Sequence, residues 1–334
     1  MNMPFYVAPE QVMKDRADYA RKGIARGRSL VGFRFDKGVA ICAENTSSTL
    51  RKVSEIYDRI AFAGVGKYNE FDQLRIAGVR HADMKGYSFS REDVDARSLA
   101  NQYAQSLGQI FTHEMKPMEV ELVVAELGLG EAANELYRIQ YDGTVVDEQR
   151  FCVIGGESDA VLERLDEGYD PTFDRNAAIA LTVTALAGPD RELTSAELEI
   201  AVLEPDNGRR AFKRLDDDEM AAALGVSTSR IYMLSFGFGA AVTGLAGGLL
   251  APITGVLPTI GSIYIAKAFI TVISGGSAIL AGTSSASVLL GGVNGVFAFL
   301  TGPTIGEVAL LLAAIVLLRL MPRGITGTFF RKSL

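Results

Sequence analysis

The chain changes character near residue 220. Of its 33 Lys+Arg and 40 Asp+Glu, residues 1–220 hold 27 and 39, a net charge of −12. Residues 221–334 keep one acid, Glu307, against six basic residues, a net of +5. The first part is composed for water. The second suits a bilayer, whose core admits few charges and asks each spanning helix for about 20 apolar residues. Two solvents mean two folding problems in one polypeptide.

Residues 1–220 are numerous enough for a full hydrophobic core without disulfides or metals. Cys42 and Cys152 lie in strand-like runs, Val39-Ala40-Ile41-Cys42 and Phe151-Cys152-Val153-Ile154, as small buried hydrophobes of a reducing cytosol. His81 and His113 fall on helical stretches with no Cys or second His at ligand spacing, so no metal site is expected. No cofactor is expected, and no nucleic-acid partner. Residues 1–28 are charged and lack an apolar core of the secretory type, and the first part is expected in the cytoplasm. Trp is absent, so any aromatic belt in lipid rests on Tyr and Phe.

Pattern along the first part predicts a helix from Pro9 to about Arg21, with Pro at its start and Glu10 in its first turn. Strands follow at Ser29–Phe35 and Gly38–Ala43 around an Asp36-Lys37-Gly38 turn, then at Val53–Tyr57 and Ile60–Val65. Helices are expected at Tyr68–Asp83 and Val94–His113, the latter with Leu99, Tyr103, Leu107 and Ile110 on one face. Strands return at Glu119–Glu126, Glu135–Tyr141 and Phe151–Ile154, helices at Ser158–Tyr169 and Pro171–Ala187, and strands at Leu198–Leu203 and Arg210–Leu215. Strict alternation of strand and helix would have indicated a parallel sheet. Helices arriving in consecutive pairs indicate antiparallel sheets packed face to face with a helix pair outside each, an α+β fold in four αββα layers.

Within this part, Pro9-Glu10-Gln11-Val12-Met13, Ala20-Arg21-Lys22-Gly23-Ile24-Ala25-Arg26-Gly27, Lys52-Val53-Ser54-Glu55-Ile56-Tyr57-Asp58-Arg59, Gly66-Lys67-Tyr68-Asn69-Glu70-Phe71-Asp72 and Arg209-Arg210-Ala211-Phe212 stand in order. Together they resemble the actinobacterial 20S proteasome α subunit over residues 1–216. The resemblance implies the N-terminal-nucleophile hydrolase fold in a non-catalytic member, and the residues agree. Catalysis in that fold needs a Thr, Ser or Cys whose own free α-amine is the base. Ser29, at the head of the first core strand, follows Arg28 and not a Gly-Thr processing junction, so no catalytic residue is expected.

By the same resemblance the chain forms a homo-heptameric outer ring on proteasome β subunits, which carry the threonine sites. Met1, Asn2, Met3, Pro4, Phe5, Tyr6 and Val7 would obstruct the axial pore as a gate against unfolded or tagged protein substrates; read alone, this segment is a frayed terminus. Lys52 would pair with the C-terminal carboxylate of a ring ATPase activator and bias the gate toward opening. Without the resemblance Lys52 is one of 33 basic residues and an ordinary solvated charge. Arg26 and Arg28 are candidates for the same surface.

The second part reads as an all-α polytopic transmembrane region. Ile231–Leu250 carries no charge; Ser284–Leu300 and Ile305–Leu320 are further spans, and Tyr264–Ile273 is a short one interrupted by Lys267. Eighteen of the 35 glycines lie from Gly225 onward, with Gly244/Gly248 and Gly291/Gly295 at the spacing that lets helices approach in lipid. Arg230 precedes the first span, and Arg319, Arg323, Arg331 and Lys332 flank the last, which puts both ends in the cytoplasm and calls for an even number of crossings. Lys267 is either an ionisable group facing the bundle interior, and so a functional candidate, or a lysine snorkelling to an interface.

Glu219-Met220-Ala221-Ala222-Ala223-Leu224-Gly225-Val226, Pro258-Thr259-Ile260-Gly261 and Met321-Pro322-Arg323-Gly324 resemble the C-terminal part of a branched-chain amino acid or urea ABC transporter permease, over about residues 217–328. That implies membrane lipid and an ABC ATPase subunit as further partners. The family's upstream spans are missing, and a soluble domain stands in their place. The junction falls within 215–225, dividing the chain into residues 1–216 and 217–334, with no Gly/Ser- or Pro-rich linker between them. The chain therefore reads as a fusion, whether native or an artefact of gene joining. Three functions compete: a gating subunit of the proteasome core, a truncated inner-membrane permease component, and a membrane-tethered ring or active N-terminal hydrolase.

Overall fold

The computed structural model describes residues 8–325 except 48, 130–132, 206–209, 255–259, 277–278 and 323. It divides into two compact units, Met1–Leu234 and Ser235–Leu334.

The first unit holds helix α1 (Pro9–Ile24), strands β1 (Leu30–Phe35), β2 (Gly38–Glu44), β3 (Val53–Tyr57) and β4 (Ile60–Gly66), and helices α2 (Tyr68–Ser88) and α3 (Ala96–His113). Strands β5 (Val120–Glu126), β6 (Glu135–Ile139), β7 (Val145–Asp147) and β8 (Phe151–Ile154) come next, then helices α4 (Ser158–Gly168) and α5 (Arg175–Ala187), strands β9 (Leu198–Leu203) and β10 (Phe212–Arg214), and the short helix α6 (Asp217–Ala223). The strands form two antiparallel sheets, in the orders β10-β9-β2-β1-β8 and β3-β4-β5-β6-β7.

Side-chain alternation builds the layers. In β1, Leu30 joins the core between the sheets while Val31, Phe33 and Phe35 pack outward with residues of α4 and α5. In β4, Ala61, Ala63 and Val65 face inward while Ile60 and Phe62 pack outward with Leu74 of α2 and Leu99, Tyr103 and Leu107 of α3. Strands covered on both faces read as nearly continuous apolar runs. Phe33 and Phe62 are fully buried, each worth about 2–3 kcal/mol of transfer free energy. Phe33 lies 6.0 Å from the Phe151 ring and Phe62 5.1 Å from Phe71, centroid to centroid, adding aromatic contact energy. The expected four-layer αββα sandwich is what forms.

Three local differences have physical causes. The helix expected from Pro171 starts at Arg175, because Asp170 accepts from the Thr172 amide and hydroxyl to make a turn, and Asp174 caps the helix by accepting from the Ala177 amide. Strand β7 was not expected; three residues, Val145–Asp147, are too few to show a period. The last strand shortens to Phe212–Arg214, since Asp216 caps α6 through a capping box with Glu219.

The second unit carries most of helix α7 (Thr228–Thr254) and helices α8 (Ile260–Gly275), α9 (Ile279–Thr301) and α10 (Pro303–Leu320). Three stretches, Thr228–Pro252, Ala281–Thr301 and Pro303–Leu320, are long and apolar enough to cross a membrane. Helix α8 is the short one, 16 residues or about 24 Å at 1.5 Å per residue. Leu290 of α9 packs with Leu310 and Ala314 of α10.

Candidate functional site

Lys52 immediately precedes β3, and its surroundings are built by two buried acids. Glu199, 3% exposed on β9, accepts hydrogen bonds from the Lys52 amide (2.8 Å), the Val53 amide (3.4 Å) and Asn45 Nδ2 (2.8 Å), and pairs with Arg214 at 3.2 Å. These bonds fix the backbone of Lys52. Glu44, the last residue of β2, is paired with Arg28 and, at 3.1 Å, with Arg191. Both acids are therefore compensated, as buried charges must be.

The Lys52 side chain turns back over the end of β2. Its Nζ donates to the main-chain carbonyls of Arg28 (2.8 Å) and Glu44 (2.9 Å). An ammonium has three donors, so among the described residues one remains for a ligand. Burial lowers this amine to about 8, with the Glu44 and Glu199 carboxylates opposing the shift and the Arg28 guanidinium adding to it. The group faces a pocket of about 220 Å3 whose lining includes Arg28, Gly64, Tyr68 and Phe71. An immobilised cation with one free donor in a small recess is suited to a single carboxylate.

Beside it a second recess, about 250 Å3, is lined by Ser29, Arg26, Gly156, Glu157 and Arg191. Gly155, at φ +107°, lets the end of β8 approach Ser29; a Cβ there would stand 3.0 Å from the Ser29 Cα. Ser29 is 6% exposed, its α-nitrogen is in peptide linkage to Arg28, and its Oγ accepts from the Glu157 amide at 3.2 Å. A working nucleophile of this type donates to a base within hydrogen-bond reach. Here the nearby amine, Lys52, is engaged with carbonyls. Cys42 and Cys152 are free and buried, and burial pushes both thiols up to about 12, which leaves them unreactive.

Of the other residues singled out, Arg28 lines both recesses and Arg26 only the second. Met1–Val7 lie outside the described residues. Lys267, on α8, is not a lone charge: its Nζ donates to Glu307 Oε1 of α10 at 2.8 Å and stands 5.7 Å from the Tyr264 ring centre. It lines a groove of about 1030 Å3 with Thr243, Tyr264, Thr271 and Ser287. Sequence reasoning missed Glu44, Asn45 and Glu199 as parts of the Lys52 site. The available signal was an acid inside an otherwise apolar strand, Leu198-Glu199-Ile200-Ala201-Val202-Leu203.

Comparison with known families bears on both units. Residues 202–321 match the family model described as "Branched-chain amino acid transport system / permease component". Residues 24–203 match the model "Proteasome subunit". Similar curated proteins include "Proteasome subunit alpha" of Acidimicrobium ferrooxidans, 60% identical over 225 residues, covering 67% of this chain and 97% of the relative. The protein of the same name from Sanguibacter keddieii is 53% identical over 236 residues, covering 68% and 92%. That of Arthrobacter sp. (strain FB24) is 54% identical over 231 residues, covering 67% and 98%. The chain belongs to the proteasome subunit family, and carries a permease-like segment after the family's fold.

Proposed function

We propose that residues 1–216 form a non-catalytic α-type ring subunit of a 20S proteasome core particle, whose Lys52 pocket receives the C-terminal carboxylate of a ring ATPase activator. The relatives are named proteasome α subunits; such subunits are non-catalytic, and β subunits carry the threonine protease activity. The observation that carries the docking role is the Lys52 amine, fixed by two main-chain carbonyls with one donor unused in a recess braced by Glu44 and Glu199. A carboxylate bound there stabilises whichever ring arrangement best closes the pocket around it, and so shifts the gate formed by residues 1–7. The ring would be homo-heptameric, admit unfolded or tagged proteins, and stand in the cytoplasm.

The test is Lys52→Ala in particles reconstituted with β subunits and an activator. Activator-stimulated protein degradation should be lost, while small-peptide hydrolysis by the β subunits stays unchanged. Stimulation at the wild-type level would remove the docking role.

The permease match and three long apolar helices indicate a membrane-embedded C-terminal region. Residues 217–334 are proposed as that region, in contact with lipid. Its match favours a second reading, a permease component working with an ABC ATPase subunit, with Lys267 on its solute path. Solute uptake in vesicles holding the chain and a partner ATPase tests it; uptake that survives Lys267→Met would exclude the lysine. Intact-mass measurement of the native polypeptide tests the fusion itself, since a species ending near residue 220 with no longer form would contradict it.

A further inference from the structure

A second groove adjoins the Lys52 pocket and has the opposite electrostatic character from the unit that bears it. About 400 Å3 in volume, it is lined by Arg51, Arg75, Arg210 and Arg214, with Glu55 the one acid among its described lining residues, and Tyr68 among its walls. Residues 1–220 have a net charge of −12; here four guanidinium groups stand against three carboxylates, Asp72, Glu55 and Glu199, so the local balance is positive by one and Arg51 carries it. Arg51 and Tyr68 line both this groove and the Lys52 pocket, so the two depressions share a wall.

Three of the arginines are held in place. Arg75 pairs with Asp72 at 2.8 Å, and Arg210 pairs with Glu55 through two nitrogens. Arg214 donates to the Val53 carbonyl at 2.6 Å and pairs with Glu199, the same acid that fixes the Lys52 amide. One buried carboxylate therefore braces both depressions. Arg51 is exposed and has no hydrogen bond or ion pair among the described residues, so its full charge faces solvent at the boundary.

We propose that this groove receives the acidic residues immediately preceding the C-terminal carboxylate bound by Lys52, so that the docking partner is a protein tail ending in a free carboxylate with Asp or Glu just upstream. The proposal rests on the Lys52 docking role and adds what the tail must contain. The terminal carboxylate takes the unused Lys52 donor, and the chain runs extended, at about 3.3 Å per residue, past Tyr68 and Arg51. Upstream carboxylates then meet Arg51 first and, beyond it, Arg210, whose Nε and one Nη already hold Glu55, so Arg51 takes the larger share. Arg presents a planar fork that pairs two oxygens at once, which favours carboxylates of defined position over diffuse negative charge.

The experiment uses the full chain in detergent micelles and fluorescence anisotropy with labelled peptides sharing one C-terminal segment. One peptide carries two acidic residues upstream, another two lysines, and each is made with a free or an amidated C-terminus. The acidic free-carboxylate peptide should bind about fivefold or more tightly than the basic one, the advantage expected of two exposed charge pairs. That advantage should shrink with added salt. In Arg51→Ala/Arg210→Ala, two exposed positions whose loss leaves the core intact, it should fall below about twofold while amidation still abolishes binding. Equal binding of acidic and basic free-carboxylate peptides by the wild-type chain would overturn this inference and leave the Lys52 role standing. An acidic preference that persists with amidated peptides would show a general anion patch and overturn both.

Discussion

Glycine does different work in the two units. In the first, a Cβ on Gly78 of α2 would overlap the buried Tyr103 hydroxyl, and one on Gly64 of β4 would press on the Phe71 ring at 2.6 Å. There, glycine marks places where neighbours have closed in. In the second, Gly306 meets α9 closely, a Cβ there lying 2.8 Å from that of Ala298, but Gly237, Gly244, Gly248, Gly291 and Gly295 have open space where a Cβ would stand. No part of the α7 span is buried, and Phe236, Phe238 and Leu245 are exposed along it. The sandwich is a completed packing solution. The helices after it leave their small-residue faces and apolar side chains for lipid or other helices to cover.

The ion pairs repeat the contrast. Arg59 pairs with Glu126 inside the sandwich, where Arg59 also donates to the carbonyls of Glu92 (2.9 Å) and Val94 (3.3 Å), and Glu126 accepts from the Ala96 amide. The pair pins β4, β5 and the start of α3 together. Lys267 and Glu307 have only each other and the Tyr264 ring among the described contacts of their charged atoms.

Several substitutions would break or sharpen this contrast. Arg59→Ala strands a buried carboxylate and should cost about 3–4 kcal/mol of sandwich stability, read by denaturant unfolding; a loss under 1 kcal/mol would mean that water reaches Glu126. Lys267→Met or Glu307→Gln alone should each cost about 2–3 kcal/mol in a detergent unfolding titration followed by helical circular dichroism, and the double variant should recover most of it. Additive losses would show that the two charges do not depend on each other. Gly78→Ala should destabilise by about 2 kcal/mol through overpacking against Tyr103, whereas Gly244→Ala should be neutral or slightly stabilising. Equal effects would erase the distinction drawn from glycine.

Titration gives two smaller effects. The free Lys52 amine changes charge at about 8, and only the ammonium pairs with a carboxylate. Peptide affinity should therefore hold below that pH and fall by about tenfold per unit above it. Half-buried Glu121 is raised from the ordinary 4.5 to about 7, chiefly by desolvation, with Arg138 opposing and Asp142 and Glu148 adding. The folded state holds its proton between those values while the unfolded chain does not, so stability falls as pH rises from 4.5 through 7. Glu121→Gln should raise the melting temperature by about 3 °C near pH 8 and leave it unchanged near pH 4. A rise at both would place the effect in packing.

The layer order was legible because apolar strand runs bounded by turns and paired helices are local signals, and because Leu99, Tyr103 and Leu107 repeat at helical spacing. Lys52 became a site residue only through resemblance to a family, since nothing local separates it from other lysines. Its partners were hidden because Glu199 is separated by 147 positions and Glu44's role depends on the fold of β2. In the second unit, Lys267 interrupts an apolar run and shortens the helix that hydropathy outlines; Glu307, 40 positions on, supplies the counter-charge that no window contains. Residue pairs made by tertiary structure were the part a linear reading could not reach.

The central claim is that Ser29, with its amine in a peptide bond and its hydroxyl held by the Glu157 amide, leaves the sandwich a scaffold that others use. Labelling with a probe for N-terminal Thr and Ser nucleophiles, followed by peptide hydrolysis, tests it on the purified full-length chain with and without β subunits. The chain alone should take no label and cleave nothing, with activity appearing only when β subunits are added. Labelling of Ser29, or hydrolysis by the chain alone, would contradict the account.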